Sequence, residues 1–232
     1  MIKLAPQKTE AVLLKGPRKK EKVNFTLRDT IITPGGAVKY LGITIDARGS
    51  YGPHIINVAK KAENRAAGLM RIMPNIGCLS SGKREILCGV VHSTILYGAP
   101  IWCEALRIRR YRTMLEGVQR RMLLRVGSAY RTTSTVALQV ITGVIPIDLM
   151  VEERRYLYEM GNGQELAIRK AARERTLNLW QRRWELNEEK GQWTKRLIPD
   201  LRPWVTCRHR RIDKSLFYIS QELGDVKTSP SS

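Results

Sequence analysis

Val38-Lys39-Tyr40-Leu41-Gly42-Ile43-Thr44-Ile45-Asp46 is an apolar run with strand character, interrupted by one glycine and closed by an aspartate. Its β-branched and aromatic residues suit a pleated, half-buried surface, and Val38 to Ile45 reads as a strand. Upstream, Val23-Asn24-Phe25-Thr26-Leu27 alternates with period two, and Ile31-Ile32 before Pro34-Gly35-Gly36 reads as a short strand and a turn. Ala11 to Leu14 suits a further short buried strand, ended by Gly16-Pro17. Together these segments predict a small antiparallel sheet of three or four strands.

From Gly52-Pro53-His54 onward the period changes. Ile55, Val58, Ala59, Ala62, Ala66, Leu69 and Met73 recur at spacings of three and four, which predicts a helix ended by Pro74-Asn75 and Gly77. Ser80-Ser81-Gly82 offers cap chemistry for a second helix from Lys83 to about Leu96, burying Ile86, Leu87, Val90, Val91 and Ile95. Tyr97-Gly98-Ala99-Pro100 breaks that pattern. Met114, Leu115, Val118, Met122 and Leu123 mark a third helix whose opposite side is dense in arginine. Ser134 to Ile141 predicts a shorter helix stopped by Gly143 and Pro146, and Pro146 to Tyr158 starts another. Gly161-Asn162-Gly163 is the clearest break in the second half. Beyond it, Gln164 to about Glu189 reads as a long charged helix with a core stripe of Leu177, Trp180 and Trp184. Gly191 to Thr194 and Leu197 to Leu201 read as a loop with apolar anchors, and Lys227 to Ser232 as a disordered tail. The expected fold is α+β and mostly α. Its expected segments are 1–50 (sheet), 51–162 (helical bundle), 163–226 (helical region) and 227–232 (tail).

Composition narrows the class of partner. Among 232 residues, 41 Lys and Arg face 21 Asp and Glu, a formal charge of +20 that favours polyanions. Hydrophobic residues make up 43%, so this is no disordered basic tail but a chain able to bury a core. The longest apolar runs, such as Ile86 to Tyr97, fall short of a membrane span, and no signal-peptide apolar region opens the chain. An intracellular, soluble protein without a membrane partner is expected. Arg18-Lys19-Lys20-Glu21-Lys22 is a candidate nuclear-localisation patch or phosphate contact, weighed against a solvated hairpin tip. Cys78, Cys88, Cys103 and Cys207 form no CxxC pair, which argues for reduced thiols over a zinc ribbon or disulfide framework. Cys207 and His209 supply only two of the four ligands that structural zinc wants.

In order and spacing, several of these segments resemble the reverse transcriptases of arthropod-type non-LTR retrotransposons. Val38 to Asp46 resembles their primer grip, and Leu4-Ala5-Pro6-Gln7-Lys8-Thr9-Glu10-Ala11-Val12-Leu13-Leu14 resembles the end of their palm. Ile72-Met73-Pro74-Asn75-Ile76-Gly77 and Lys83-Arg84 look like the first thumb turn. His92-Ser93-Thr94-Ile95-Leu96-Tyr97-Gly98-Ala99-Pro100-Ile101-Trp102, Gln119-Arg120-Arg121 and Ser128-Ala129-Tyr130-Arg131-Thr132 extend the match. Trp180 through Trp184, and Trp193 through Leu201, are similar to the helical region beyond the thumb. The likeness fades from His209 to Leu223, and Ala5 and Cys78 depart from the family pattern.

The resemblance implies a palm end with a primer-grip hairpin, a helical thumb and a helical linker. Polymerisation by two metals needs carboxylates that hold ions about 4 Å apart. No Tyr-Ala-Asp-Asp or similar pair occurs here, and Asp29, Asp46, Asp148, Asp200, Asp213 and Asp225 are scattered. The expectation is therefore a polymerase fragment without catalytic residues or cofactor of its own, Mg²⁺ being expected only for the intact polymerase. Lys8 matches a lysine thought to protonate pyrophosphate in related polymerases, set against a simple charged residue before a strand. Primer handling needs a hairpin and basic helices instead. Tyr40, Leu41 and Gly42 resemble grip residues, with Lys39 beside a phosphate. Lys60, Lys61, Arg65 and Arg71 on the first helix, and Arg107, Arg109, Arg110, Arg112, Arg120, Arg121 and Arg125 about the third, are candidate contacts to RNA or an RNA/DNA duplex. Two alternatives stand beside this reading. The chain is part of an active enzyme whose upstream palm and fingers are missing from the gene model, or it is a host-recruited interaction module.

Overall fold

The computed structural model describes residues 9–14, 23–27, 30–72, 81–161, 165–187 and 191–206. Lys8, the Arg18 to Lys22 patch, the helix stop at Pro74 to Gly77, Cys78, Cys207, His209, Asp29, Asp213, Asp225 and the expected tail lie outside them. So does Ser80 of the expected cap, while Ser81 and Gly82 already belong to the helix.

The N-terminal strands do not join into one sheet. β1 (Phe25–Leu27) pairs antiparallel with β2 (Thr30–Ile32), and β3 (Ala37–Tyr40) pairs antiparallel with β4 (Ile43–Asp46), as two separate two-stranded ladders. The expected Val38 to Ile45 strand is thus a hairpin that turns on itself at Leu41-Gly42. Both turn residues have positive φ, 46° and 84°. That is the handedness a two-residue hairpin loop needs, because only such turns match the right-handed twist of the flanking strands. Glycine meets this requirement freely, whereas Leu41 bears some strain. Ala11 to Leu14 forms no strand either. Only an isolated parallel bridge links Val12 to Gly35, with the Gly35 N–H donating to the Ala11 carbonyl at 2.8 Å.

The helices begin at Gly52. α1 (Gly52–Ile72), α2 (Ser81–Leu96), α3 (Ala99–Trp102) and α4 (Arg109–Val126), with a 3-10 turn at Cys103–Arg107, enclose one core. Ile55, Leu87, Val91, Ile95, Trp102, Leu115, Met122 and Leu123 are fully buried in it, while Ile86 faces solvent, against expectation, and Val90 is half-buried. α5 (Thr135–Thr142) starts on Ser134, whose hydroxyl accepts the Ala137 N–H, and stops at Gly143 in the left-handed region. α6 (Ile147–Glu159) and α7 (Leu166–Glu185) pack on each other. α7 is shorter than the sequence suggests. The region read as an anchored loop forms two short helices, α8 (Gln192–Leu197) and α9 (Leu201–Thr206).

A second core combines Val140, Ile145 and Leu149 with Leu177, Trp180, Trp184, Ile198 and Leu201. The tryptophan stripe is therefore core, as expected. The Trp184 indole donates to the Ile198 carbonyl at 2.9 Å, and Trp204 donates to Val140 at 2.8 Å, so the indoles tie the last helices to α5 and α7. This core draws residues from both sides of Gly161. Between the two cores, buried Gln119 bonds to the Ile145 carbonyl and the Ile147 N–H and meets His92 and Gln139. Among the described residues no single helix is long and apolar enough to cross a membrane.

Candidate nucleic-acid interface

The hairpin tip is fastened to the helical bundle from below. The Tyr97 hydroxyl donates to the Leu41 carbonyl at 2.7 Å, and a Cβ on Gly42 would lie 3.1 Å from the same tyrosine ring. Ile43 presses on Gly98, where a Cβ would come within 2.5 Å of its Cδ1. The Thr44 N–H donates to His54 Nδ1 at 3.2 Å. Lys39, Tyr40 and Leu41 are left facing outward, with Tyr40 64% exposed. Tyr97, Gly98 and His54 were missed as site residues by sequence reasoning. Tyr97 and Gly98 showed only as a break in helical period within the segment that resembles the family, and His54 only as part of the helix start.

Asp46 links the hairpin to α1. Its carboxylate accepts the Ser50 hydroxyl at 2.9 Å and the Tyr51 N–H at 2.8 Å, turning the chain into the helix. Burial opposes its ionisation, but these bonds more than offset that and hold its pKa below the usual value. Burial pushes the His54 pKa below its usual value, helped by the charge of Lys61.

α1 and α4 run the same way. The Tyr111 side chain sits against Gly52 near both N-termini, and Arg121 ion-pairs with Glu63 further along both helices. On α1, Lys60 and Arg71 share the outer stripe with Asn57, Asn64, Ala67 and Gly68, and Lys61 borders it. Arg65 leans towards α2, donating to the Thr94 hydroxyl at 2.6 Å.

The arginines of α4 do not form one solvent-facing set. Arg107 is paired with Glu104 and Arg121 with Glu63. Arg120 is half-buried and clamps the following loop, donating to the carbonyls of Arg131 and Thr133 and to the Thr135 hydroxyl at 2.6 to 3.0 Å. Arg125 is half-buried, its Nε without a partner. Arg109, Arg110 and Arg112 remain exposed at the start of α4, and no carboxylate within the described residues closes an ion pair with them, with Lys60, Lys61 or with Arg71. The hairpin tip, the outer stripe of α1 and the first turn of α4 thus carry positive charge that no ion pair among the described residues closes on. In the second half Arg173, Arg183 and Arg202 are each paired with a carboxylate, whereas Lys170, Arg182 and Arg196 close no ion pair within the described residues.

The described aspartates have structural partners. Asp46 holds the turn before α1 through the Ser50 hydroxyl and the Tyr51 N–H, Asp148 holds Arg183 through two bonds of 2.9 and 3.0 Å, and Asp200 accepts the Arg202 N–H at the start of α9. They sit on different elements and do not fit a two-metal centre.

The chain aligns at 31% identity, over 89% of its length, with a 115 kDa protein in type-1 retrotransposable element R1DM of Drosophila melanogaster, of which it spans 22%. It is 29% identical, over 87% of its length, to the retrovirus-related Pol polyprotein from type-1 retrotransposable element R1 of Bradysia coprophila, again spanning 22% of that protein. A Nasonia vitripennis R1 Pol polyprotein matches at 24% identity over 87% of the chain and 54% of its own length. Its homologues are the R1 retrotransposon Pol polyproteins. The resemblance to a non-LTR reverse transcriptase is borne out by these relatives, and the R1-related chain spans about a fifth of the first two. No family model matches it, and no solved structure does.

Proposed function

We propose that this R1-related chain is the nucleic-acid-holding part of an RNA-directed DNA polymerase, gripping RNA or an RNA/DNA duplex without carrying the chemistry itself. The observation that carries this reading is the set of exposed cations on α1 and α4 that close no ion pair within the described residues. Lys60, Lys61 and Arg71 on α1, and Arg109, Arg110 and Arg112 on α4, have no carboxylate closing on them among the described residues, although burial of a helical core alone would leave them free to pair with acids. Unneutralised charge spread over two parallel helices matches a duplex backbone, whose phosphates release counterions on contact. The exposed hairpin tip, braced by Tyr97, adds Lys39, Tyr40 and Leu41 beside it. In this reading the metal-binding carboxylates belong to the palm and fingers of the same element, and those are its partner. Mg²⁺ serves that palm.

The direct test is anisotropy binding of a labelled RNA/DNA hybrid of about one helical turn by the purified chain at low salt. Saturable binding that weakens steeply with salt is expected. Failure to bind the hybrid and single-stranded RNA alike would refute the reading.

A further inference from the structure

A cleft of about 410 Å³ opens between α4, the first turn of α5 and the last turns of α7. Its volume is that of a small-ligand site. Val136 and Pro146 give it apolar lining together with the buried indoles of Trp180 and Trp184. Its polar groups are unusual in their pairing. Arg183 is locked flat by its two bonds to Asp148 yet stays about half exposed, which leaves a rigid guanidinium plane at the cleft. Glu116 is half-buried on the same wall and makes no hydrogen bond or ion pair within the described residues. The Asp148 carboxylate acts on its charge, as do Arg112 one turn and Arg109 two turns before it on α4 and Arg183, but none of them closes on it. Its acceptor oxygens are therefore unused.

These features select among ligands. A free anion is repelled by Glu116, and a free cation by the surrounding guanidiniums. A neutral, planar hydrogen-bond donor tethered to a phosphate satisfies both. Single-stranded bases are recognised in this way, stacked on an arginine plane and bonded along the Watson–Crick edge. A carboxylate accepts two adjacent N–H groups at once, and guanine is the base that presents two, at N1 and N2.

We propose that this cleft receives one unpaired guanine base of the bound RNA, stacked on Arg183 and bonded to Glu116, with Arg109 and Arg112 on its phosphate. This rests on the nucleic-acid reading above and adds a base preference to it.

The experiment measures binding of three single-stranded RNA ten-mers by the full chain, uridine throughout except for one central guanosine, inosine or adenosine. A good bidentate contact discriminates by roughly ten- to a hundredfold, so guanosine is expected to bind at least about tenfold tighter than adenosine. Inosine lacks the N2 amino group and should fall between them. In Glu116→Gln, which removes the charge while keeping the shape, the guanosine-to-adenosine ratio should drop below about threefold. Equal binding of all three RNAs by the wild type overturns the base site and leaves the nucleic-acid reading standing. A guanosine preference that survives Glu116→Gln overturns the role of Glu116 as acceptor, and with it this site. No binding of any of the three RNAs overturns the base site, and overturns the nucleic-acid reading as well only where the RNA/DNA hybrid also fails to bind.

Discussion

Replacing Gln119 by leucine should unfold the chain more readily than any single surface change. Gln119 is fully buried between the two cores. Its Oε1 accepts the Ile147 N–H at 3.1 Å and the Gln139 side-chain amide at 3.0 Å, and its Nε2 donates to the Ile145 carbonyl at 2.9 Å and lies 3.2 Å from His92 Nε2. That last contact makes His92 Nε2 an acceptor, which requires a neutral ring with its proton on Nδ1. Leucine fills similar space but leaves the backbone N–H of Ile147 and the carbonyl of Ile145 buried without partners. Each orphan costs about 1–3 kcal/mol, so the two together predict a loss of roughly 4 kcal/mol. For a chain of this size that lowers the melting temperature by about 8–16 °C. Gln139→Leu is the control, because Gln119 Oε1 keeps Ile147, and it should cost about 1 kcal/mol. Urea unfolding followed by circular dichroism reads both. A Gln119→Leu loss below about 1 kcal/mol, or equal losses for the two variants, would refute the network as the joint between the cores.

The same network sets a pH dependence. Burial holds His92 down to about 4, below its ordinary 6.5, so below pH 6.5 the unfolded chain takes a proton that the folded chain refuses. Its contribution is whole above pH 6.5 and lost as the pH falls towards 4, about 3 kcal/mol in all. A urea midpoint flat across that window in wild type, relative to His92→Gln, would contradict it. Gly98→Ala forces a side chain into the left-handed region and against Ile43, and should cost about 2 kcal/mol by urea unfolding while loosening the hairpin; a neutral effect would mean the hairpin is not seated there. Purified chain with Mg²⁺ or Mn²⁺ on a primed RNA template should make no DNA, and incorporation abolished by a mutation within the chain would sink that expectation. In hydrogen exchange, the short exposed ladders between Phe25 and Asp46 should exchange fast and the helices from Ile55 to Leu124 slowly, and uniform protection would favour a self-sufficient, host-recruited domain.

The helices were legible because their apolar residues recur at three and four, and the Leu177, Trp180 and Trp184 stripe lies where its spacing puts it. The hairpin was implied by the resemblance but hidden from the strand pattern, because its turn uses Leu41 where such turns ordinarily show Asn or Asp, so Val38 to Ile45 looked continuous. α8 and α9 were hidden because each is six residues long, too short to show a period, and Gly191 and Pro199 suggested a loop. Within the candidate interface, the sequence placed Lys60, Lys61, Arg65 and Arg71 together on the first helix, and only the structure puts Lys60 and Arg71 on its outer stripe. The sequence did not separate Arg120, which holds a loop, from Arg112, which does not, because that difference depends on carbonyls at Arg131 and Thr133 supplied by tertiary folding. Gln119 sat in an arginine-rich run and showed nothing of its burial.

Since Arg120 and Arg121 have partners within the chain, the central claim is best tested on α1, where Lys60 and Arg71 have none that an acid supplies. The measurement is the affinity for an RNA/DNA hybrid across a salt series, for wild type and for Lys60→Ala combined with Arg71→Ala. Each lost phosphate contact flattens the slope of log K against log salt by roughly one unit, so the double variant should bind more weakly and lose about two units of slope. An unchanged slope, with the variant folded and binding as tightly as wild type, would contradict the placement of the duplex along α1 and α4.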